Sequence, residues 1–419
     1  VLALLGIVLA LLAFCGMPLF AVFGALAMAL FFAAGVDISS VAVSMYSVAA
    51  SPLLVAIPLF TLAGYLFAHS KAPDRLVNLS RALFPGGLAV VALVACAVFT
   101  AFTGASGVTI VAMGGLLLPA LLREGFNRKF SLGLVTASGS LGLLFPPSLP
   151  IIIYGYVASV QIDKLFLAGI LPGILLLGLL ATYGWYVGRK EGIKSPPHSM
   201  AAIRSALREG AWEIPLPIII LGGIYGGIFT VNEAAAITAL YAIIVEVFIY
   251  KDIPVRKLPS IFAESVSLVG GILVIIMCSF GFVNYLIDAE VPMHILAWMQ
   301  HYISSKYTFL LILNLFLLVV GCLMDIFSAL IVVVPLIAPV AVGFGVDPVH
   351  LGIVFLTNLE IGYLTPPVGL NLFISSFRFK EPVIKLYSAS VPFLLLMLLA
   401  LVIITYIPAL SLALVHLIR

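Results

Sequence analysis

The sequence predicts an all-α polytopic membrane protein of two inverted-topology repeats, each with a re-entrant helical hairpin and a broken transmembrane helix. Three observations lead there. Of 419 residues, 63% are hydrophobic and only 9% charged, a balance foreign to a soluble domain of this size. Apolar runs of about 15–25 residues recur from end to end, which is the length that crosses a bilayer as a helix. Continuous runs also exclude a β-barrel, whose strands alternate. Finally, one motif occurs twice: Leu141-Gly-Leu-Leu-Phe-Pro-Pro-Ser148 and Ile361-Gly-Tyr-Leu-Thr-Pro-Pro-Val368.

The expected spans of the first half are 1–15, 17–34, 52–70, a pair over 88–122, a broken span over 130–160, and 165–188. The second half gives 214–230, 234–250, 265–288, a pair over 308–342, a broken span over 349–379, and 391–416. Amphipathic pieces at 36–49, 72–84, 253–263 and 292–304 read as helices lying along the membrane surface. The order of elements is the same in both halves, an internal repeat by architecture. Residues 1–188 form the first repeat, 189–213 a cytoplasmic connector and 214–419 the second repeat. The first apolar segment lacks a basic leader and a small-residue cleavage site, so it reads as a span and not a signal peptide. A few residues are expected to be missing before Val1.

Charge sets the orientation. Basic residues cluster at Lys71, Arg75 and Arg81, at Arg123, Arg128 and Lys129, and through the connector at Arg189, Lys190, Lys194, Arg204 and Arg208. Lys251, Arg256 and Lys257, then Arg378, Lys380 and Lys385, complete the set, whereas loops 36–50, 161–164, 230–233 and 343–350 are poor in Lys and Arg. Placing the basic loops in the cytoplasm satisfies the positive-inside rule and puts the N-terminus outside. The second half then enters from the opposite side, which makes the repeats inverted, as in many secondary transporters.

Charge alone does not separate two crossings from a re-entrant hairpin at 88–122. Arms of roughly 15 residues span about 22 Å against a core of about 30 Å. The turn, Thr103-Gly-Ala-Ser-Gly-Val-Thr109, is small and polar. Both features fit a hairpin tip buried in protein at mid-membrane. The second pair, turning near Gly321-Cys-Leu-Met-Asp325, is expected to enter from the periplasmic side.

The breaks are where chemistry is expected. Proline removes a backbone donor and clashes with the preceding turn, and lipid cannot satisfy the freed carbonyls. A helix ending at mid-membrane aims its last carbonyls and the negative end of its dipole at one spot, suited to a desolvated alkali cation. The half-helix that follows presents free amides, suited to an anion. A plain proline kink accounts for one such break less well once two match. Thr136, Ser138, Ser140 and Ser148 flank the first break, and Thr357, Asn358, Thr365 and Asn371 the second, although any single hydroxyl here also serves as an ordinary interhelical hydrogen bond. Asp325 and Glu360 are the acids set deepest in apolar sequence, able to bind a cation, relay a proton or pair with a base. Glu246, near the end of its span, is expected to reach water, and Arg378 reads as a positive-inside loop residue.

Other classes lack support. No His-Glu-x-x-His, Gly-x-Ser-x-Gly elbow or phosphate loop is present, so an enzyme is not expected. Cys15, Cys96, Cys278 and Cys322 have no metal-ligand spacing. The net charge of +3 gives no reason to expect nucleic acid. Without a nucleotide site, transport is expected to run on a gradient or through another subunit.

The stretch Gly133-Leu-Val-Thr-Ala-Ser-Gly-Ser-Leu-Gly-Leu-Leu-Phe-Pro-Pro-Ser-Leu-Pro150, followed by Ile-Ile-Ile-Tyr-Gly155, resembles the large membrane subunit of tripartite ATP-independent periplasmic (TRAP) transporters. The Gly104-Ala-Ser-Gly107 tip, Asp325, and Asn371-Leu-Phe after the second Pro-Pro are similar to the same family. The resemblance covers essentially the whole chain. It implies a bacterial inner-membrane, sodium-coupled importer of organic acids such as C4-dicarboxylates or sialic acid, with a scaffold and a transport domain moving as an elevator. It implies two partners, a small four-helix membrane subunit as a separate chain and a periplasmic substrate-binding protein.

Carried over by position, the resemblance implies two sodium sites. One uses Thr100 and Thr103 with Gly142, Phe145 and Pro147, and the other Gly321 with Gly362, Thr365 and Val368, mostly through carbonyls. The candidate substrate residues are Gly104, Ala105, Ser106, Gly107, Ser138, Ser148, Asp325, Asn358, Pro366 and Asn371. The competing expectations are a stand-alone sodium/dicarboxylate symporter of related architecture and proton coupling through Asp325 or Glu360. An intramembrane enzyme or a purely structural subunit is a more distant one.

Overall fold

A run of apolar residues has only one way to satisfy its own backbone without a neighbour, the α-helix, and the chain uses it throughout. The computed structural model describes residues 8–9, 11–12, 16–83, 87–193 and 200–417. Most of the expected span 1–15, with Cys15, lies outside the described residues, as does Lys194. Among the described residues there is no strand.

The first half contains α1 (Leu19–Ala33), α2 (Ser39–Ala49), α3 (Ala56–His69) and α4 (Ala72–Leu83). A hairpin of α5 (Gly87–Thr103) and α6 (Ser106–Arg123) follows, then a broken helix of α7 (Arg128–Ser138) and α8 (Leu149–Val157), then α9 (Ile162–Lys190). The connector holds α10 (Met200–Glu209). The second half contains α11 (Pro215–Tyr225), α12 (Val231–Ile243), α13 (Leu258–Asp288) and α14 (Val291–Tyr302). A second hairpin of α15 (Lys306–Leu323) and α16 (Ile326–Gly343) leads to a second broken helix of α17 (Pro348–Gly362) and α18 (Leu370–Phe379), then α19 (Val383–Tyr406) and α20 (Ala409–Leu417). Among the described residues, eight helices are long and apolar enough to cross a membrane, and the first broken helix bends by 46° at its break.

Local chemistry sets the boundaries. Asn127 starts α7 by accepting the Phe130 amide at 2.8 Å, and Asp347 starts α17 by accepting that of Val349 at 2.8 Å, as N-caps do. Thr230 and Glu233 form a reciprocal capping box at α12.

Three expectations are corrected. The piece at 253–263 is no separate surface helix: a short 3-10 turn, Val255–Lys257, runs straight into α13. The span 391–416 is two helices, divided at Ile407-Pro408, where proline cannot continue the ladder. Within the connector, for which the sequence offered no element, lies α10. The hairpin arms have 17, 18, 18 and 18 residues, so arm length does not distinguish a hairpin from two crossings. The contacts of the tips, described below, bear on that question instead.

The two halves pack reciprocally. α1 of the first half lies on α13 of the second, and α12 of the second lies on α3 of the first. The same exchange occurs at the broken helices: α6 packs on α18, and α16 packs on α8. One apolar core runs through both halves and includes the residues around both breaks. Large apolar side chains such as Phe32, Leu395 and Phe377 remain on the outside, where a membrane protein meets lipid.

A buried ionic cluster ties α4 to the connector and α12. The Arg75 guanidinium bonds to Glu213, reaches Asp252 at 2.5 Å and Glu246 at 2.8 Å, and lies 3.8 Å over the Tyr250 ring. Glu246 is fully buried, which corrects the expectation that it reaches water; the extra residue of a π-turn over Ile244–Ile249 turns it toward Arg75. Burial pushes the Glu213 carboxyl up, and the Arg75 charge pulls it back.

Removing one partner of a buried charge cluster leaves the others uncompensated, at a cost of about 3–5 kcal/mol. Arg75→Met is therefore expected to lower the thermal unfolding midpoint of the purified protein in detergent, with Glu246→Gln in the same background recovering part of the loss. An unchanged midpoint would show that the cluster does not hold the fold.

Candidate ion and substrate site

Each break begins with the prolines. An amide at Pro146 would have bonded the Gly142 carbonyl, and one at Pro147 the next carbonyl; neither exists. The chain tightens into a 3-10 turn over Leu141–Leu144, with the Phe145 amide donating to Gly142 at 3.0 Å. The second break runs the same way: the Thr365 amide donates to Gly362 at 3.0 Å. Both Pro-Pro bonds, Pro146–Pro147 and Pro366–Pro367, are cis.

The first hairpin tip meets the first break. A Cβ on Gly142 would overlap the Ala97 carbonyl, the Ala101 nitrogen and Thr100 Cβ, and one on Gly104 would stand 2.6 Å from Leu149 at the start of α8. Gly104 has φ +63°, a conformation glycine adopts without strain. Thr100 Oγ1 lies 2.7 Å from the Cys96 carbonyl, 3.0 Å from the Gly139 carbonyl and 2.8 Å from Thr109 Oγ1. Thr103 Oγ1 is 3.5 Å from Thr109 Oγ1. One threonine proton cannot serve two carbonyls at once, so this buried spot is rich in oxygen and short of donors.

The second tip meets the second break as closely. A Cβ on Gly362 would overlap the backbone of Gly321, and one on Gly321 would lie 3.1 Å from Leu359 Cα. The Gly369 amide donates to the Cys322 carbonyl at 3.3 Å, and the Ile326 amide donates to Tyr363 Oη at 2.7 Å. The breaks also join each other: Thr136 Oγ1 donates to Ser375 Oγ at 2.9 Å, and Asn371 Nδ2 donates to the Thr136 carbonyl at 3.4 Å.

Among the described residues, the carbonyls of Pro147, Gly321, Thr365 and Val368 accept no hydrogen bond, while those of Gly142, Phe145 and Gly362 accept one each. A carbonyl oxygen has two lone pairs, so all seven retain capacity for a cation. No cluster of His, Cys, Asp or Glu with metal-binding geometry occurs among the described residues. A cation here would be held by neutral oxygens. The breaks differ in exposure: residues around the first are largely buried, whereas Pro366, Pro367 and Val368 are exposed.

The expected substrate residues divide. Gly104, Ser106, Ser148 and Asn371 are buried at the tips and breaks, with Ala105 and Gly107 partly exposed beside them; Ser148 Oγ and Asn371 Oδ1 are buried without a hydrogen-bond partner. Ser138 is buried and bonds back to the Val135 carbonyl at 3.1 Å. Asn358 points elsewhere, donating to Asn314 Oδ1 at 2.8 Å in a chain that continues to Thr405. Asp325 caps α16, accepting the amides of Phe327 and Ser328 at 3.0 Å and the Ser328 hydroxyl at 2.5 Å. Both carboxyl oxygens of Glu360 are buried and unpartnered. Arg378 is no free loop residue: its Nε donates to the Val111 carbonyl at 2.9 Å, and its guanidinium fills the notch at Gly115.

Three contributors were not singled out from sequence. Thr109 was read only as turn sequence. Ser375 lies four residues after Asn371, on the same helix face, and that spacing was the available signal. Tyr363 sits within the repeated motif itself.

Two hairpins tipped against two helix breaks, inside a bundle whose described residues include eight membrane-length helices, define a multi-pass membrane protein of the transporter class. The chain belongs to a specific family within it: residues 5–410 match the DctM component of tripartite ATP-independent periplasmic transporters. It is 38% identical to the C4-dicarboxylate TRAP transporter large permease protein DctM of Rhodobacter capsulatus, covering 91% of each chain. It is 34% identical to the isethionate TRAP transporter permease protein DctMQ of Oleidesulfovibrio alaskensis, over 94% of this chain and 63% of that one. It is 33% identical to the ectoine/5-hydroxyectoine TRAP transporter large permease protein UehC of Ruegeria pomeroyi, over 82% of each. In fold it is similar to the Alcanivorax borkumensis YdaH transporter, with a TM-score of 0.65 at 14% identity, covering 90% of this chain and 89% of that one.

Inserting a methyl group into a filled site costs typically about 1–3 kcal/mol and moves the backbone. Gly142→Ala and Gly362→Ala are expected to lower uptake by the reconstituted protein at least about tenfold, the change that a barrier shift of 1.4 kcal/mol makes. Gly178→Ala is the control, since nothing lies within 4 Å of a Cβ there. Wild-type uptake from both site variants would show that the tip-to-break contacts are dispensable.

Proposed function

We propose that this chain imports a small organic acid, carboxylate or sulfonate, driven by a sodium gradient and delivered by a periplasmic binding protein. The observation that carries the proposal is the pairing of each hairpin tip with a helix break, where Pro147, Gly321, Thr365 and Val368 present carbonyls that accept no hydrogen bond among the described residues. Sodium, as a co-transported ion, would bind at two places. The first comprises Thr100 and Thr103 with Gly142, Phe145 and Pro147; the second comprises Gly321 with Gly362, Thr365 and Val368. The substrate would lie between the tips, against Gly104–Gly107, Ser148 and Asn371, where half-helix N-termini favour an anion.

The membrane arrangement follows the charges. With basic loops in the cytoplasm of a bacterial inner membrane, residues 1–188 and 214–419 become inverted repeats joined by a cytoplasmic connector at 189–213, and both hairpins become re-entrant. The reciprocal packing of α1 on α13 and α3 on α12, with α6 on α18 and α8 on α16, supports that reading. An elevator then moves the hairpins and broken helices as one body against α1–α4 and α11–α14. A separate small four-helix subunit completes the membrane complex. Among relatives, the names mention C4-dicarboxylate, isethionate and ectoine, which makes dicarboxylates and sulfonates the first solutes to test, with sialic acid after them.

The test is reconstitution with both partners in liposomes, followed by a solute screen under an imposed sodium gradient. Uptake that rises with inward sodium and collapses when the gradient is dissipated is expected; uptake indifferent to sodium would overturn the proposal. Uptake without either partner would favour the stand-alone symporter.

The unpartnered Glu360 keeps a second reading, proton coupling, in play. The double variant Asp325→Asn, Glu360→Gln is expected to retain sodium-dependent uptake. Its complete loss in a folded protein, with sodium dependence absent in the wild type, would favour protons.

A further inference from the structure

A polar cavity lies away from the breaks, where the start of α7, the end of α9 and the first half of α19 converge. It has a volume of about 440 Å³. Its floor is aromatic: Phe130, Tyr183 and Phe393 pack with ring centroids 5.3–5.8 Å apart. Lys129 and Lys190 line it as well, both exposed and neither in an ion pair among the described residues. The one acid in the lining, Glu191, is already occupied, accepting from the backbone amide and the side-chain amide of Asn127. The cavity is therefore net positive above an apolar floor.

The surroundings identify the kind of ligand. Beside the cavity, Tyr186 on α9 and Leu399 on α19 are exposed, an apolar wall on the flanks of the same two helices. Arg189 lies 5.4 Å over the Trp185 ring on the same helix end, and such amphipathic aromatics concentrate at headgroup level. A free water-soluble anion would need the two lysines but has no use for the apolar wall; a phospholipid uses both.

We propose that this cavity binds the phosphate of an anionic phospholipid, with Lys129 and Lys190 holding the headgroup and the acyl chains running down α9 and α19. The leaflet, but not the site, rests on the membrane orientation proposed above.

Native mass spectrometry of the purified full chain, titrated with phosphatidylglycerol, phosphatidylcholine or inorganic phosphate, tests it without requiring transport. The expected result is phosphatidylglycerol binding at least about tenfold tighter than phosphatidylcholine, as two surface lysines supply. That preference disappears in Lys129→Gln, Lys190→Gln and persists in Lys129→Arg, Lys190→Arg, and millimolar phosphate does not displace the lipid. Equal binding of the two lipids, or an unchanged preference in the Gln variant, overturns the site. Competition by inorganic phosphate with no lipid retained overturns the lipid assignment in favour of a free anion. Both variants are expected to elute as wild type and to keep wild-type uptake in phosphatidylcholine liposomes, which separates failure of this site from failure of the transport reading.

Discussion

Everything in this molecule turns on one requirement: a backbone carbonyl in an apolar interior must have something to bind. Eighteen-residue helices meet it without help. The two broken helices do not, because proline removes the donors that the preceding turns would have used. The 3-10 turn after Ser140 recovers some of the loss, and the Asn371 side chain bonds across to the first break. What remains is a small set of oxygens with spare lone pairs, largely buried at the first break and open at the second.

The hairpin tips reach these oxygens because glycine lets the backbones close in. Gly142 lies against the first tip and Gly362 against the second, each where a single methyl group would strike main chain. Gly169 packs equally tightly on the Leu144 carbonyl, so α9 clamps the same turn from its other side. Close packing of small residues suits a membrane interior, where little hydrophobic force drives helices together and contact itself must supply the attraction.

Much of this was legible in the sequence, for an identifiable reason. Pro-Pro in a long apolar segment has few structural meanings, so both breaks were located to within a few residues. Matching glycines and polar turns then pointed to the facing hairpins. Side-chain direction was harder. Asn358 and Asn371 look alike as polar residues near a break, yet one turns outward to Asn314 and the other inward to Thr136. Depth along a helix is written in its position, but the face it presents depends on its neighbours. Arg75 shows the same limit. Its partners Glu213, Glu246 and Asp252 are far off in the sequence, and nothing local to Arg75 announces them. The length argument for the hairpins failed because the helices run on into the polar turns, leaving only Gly104–Ala105 and Met324–Asp325 between the arms.

The carbonyls at the breaks carry a lesson for how such a protein changes over time. An oxygen on the main chain is the same oxygen whether it belongs to Phe145, Val368 or any replacement that keeps the turn. Side chains at these positions are therefore free to vary with their packing while the oxygens stay where they are. At Phe145 and Val368, an alanine scan, which edits only side chains, is close to blind to these oxygens. Probing Val368 takes chemistry on the peptide bond itself, such as replacing its amide to Gly369 with an ester, which weakens the carbonyl as an acceptor, removes the Gly369 N–H that bonds Cys322, and leaves every side chain in place.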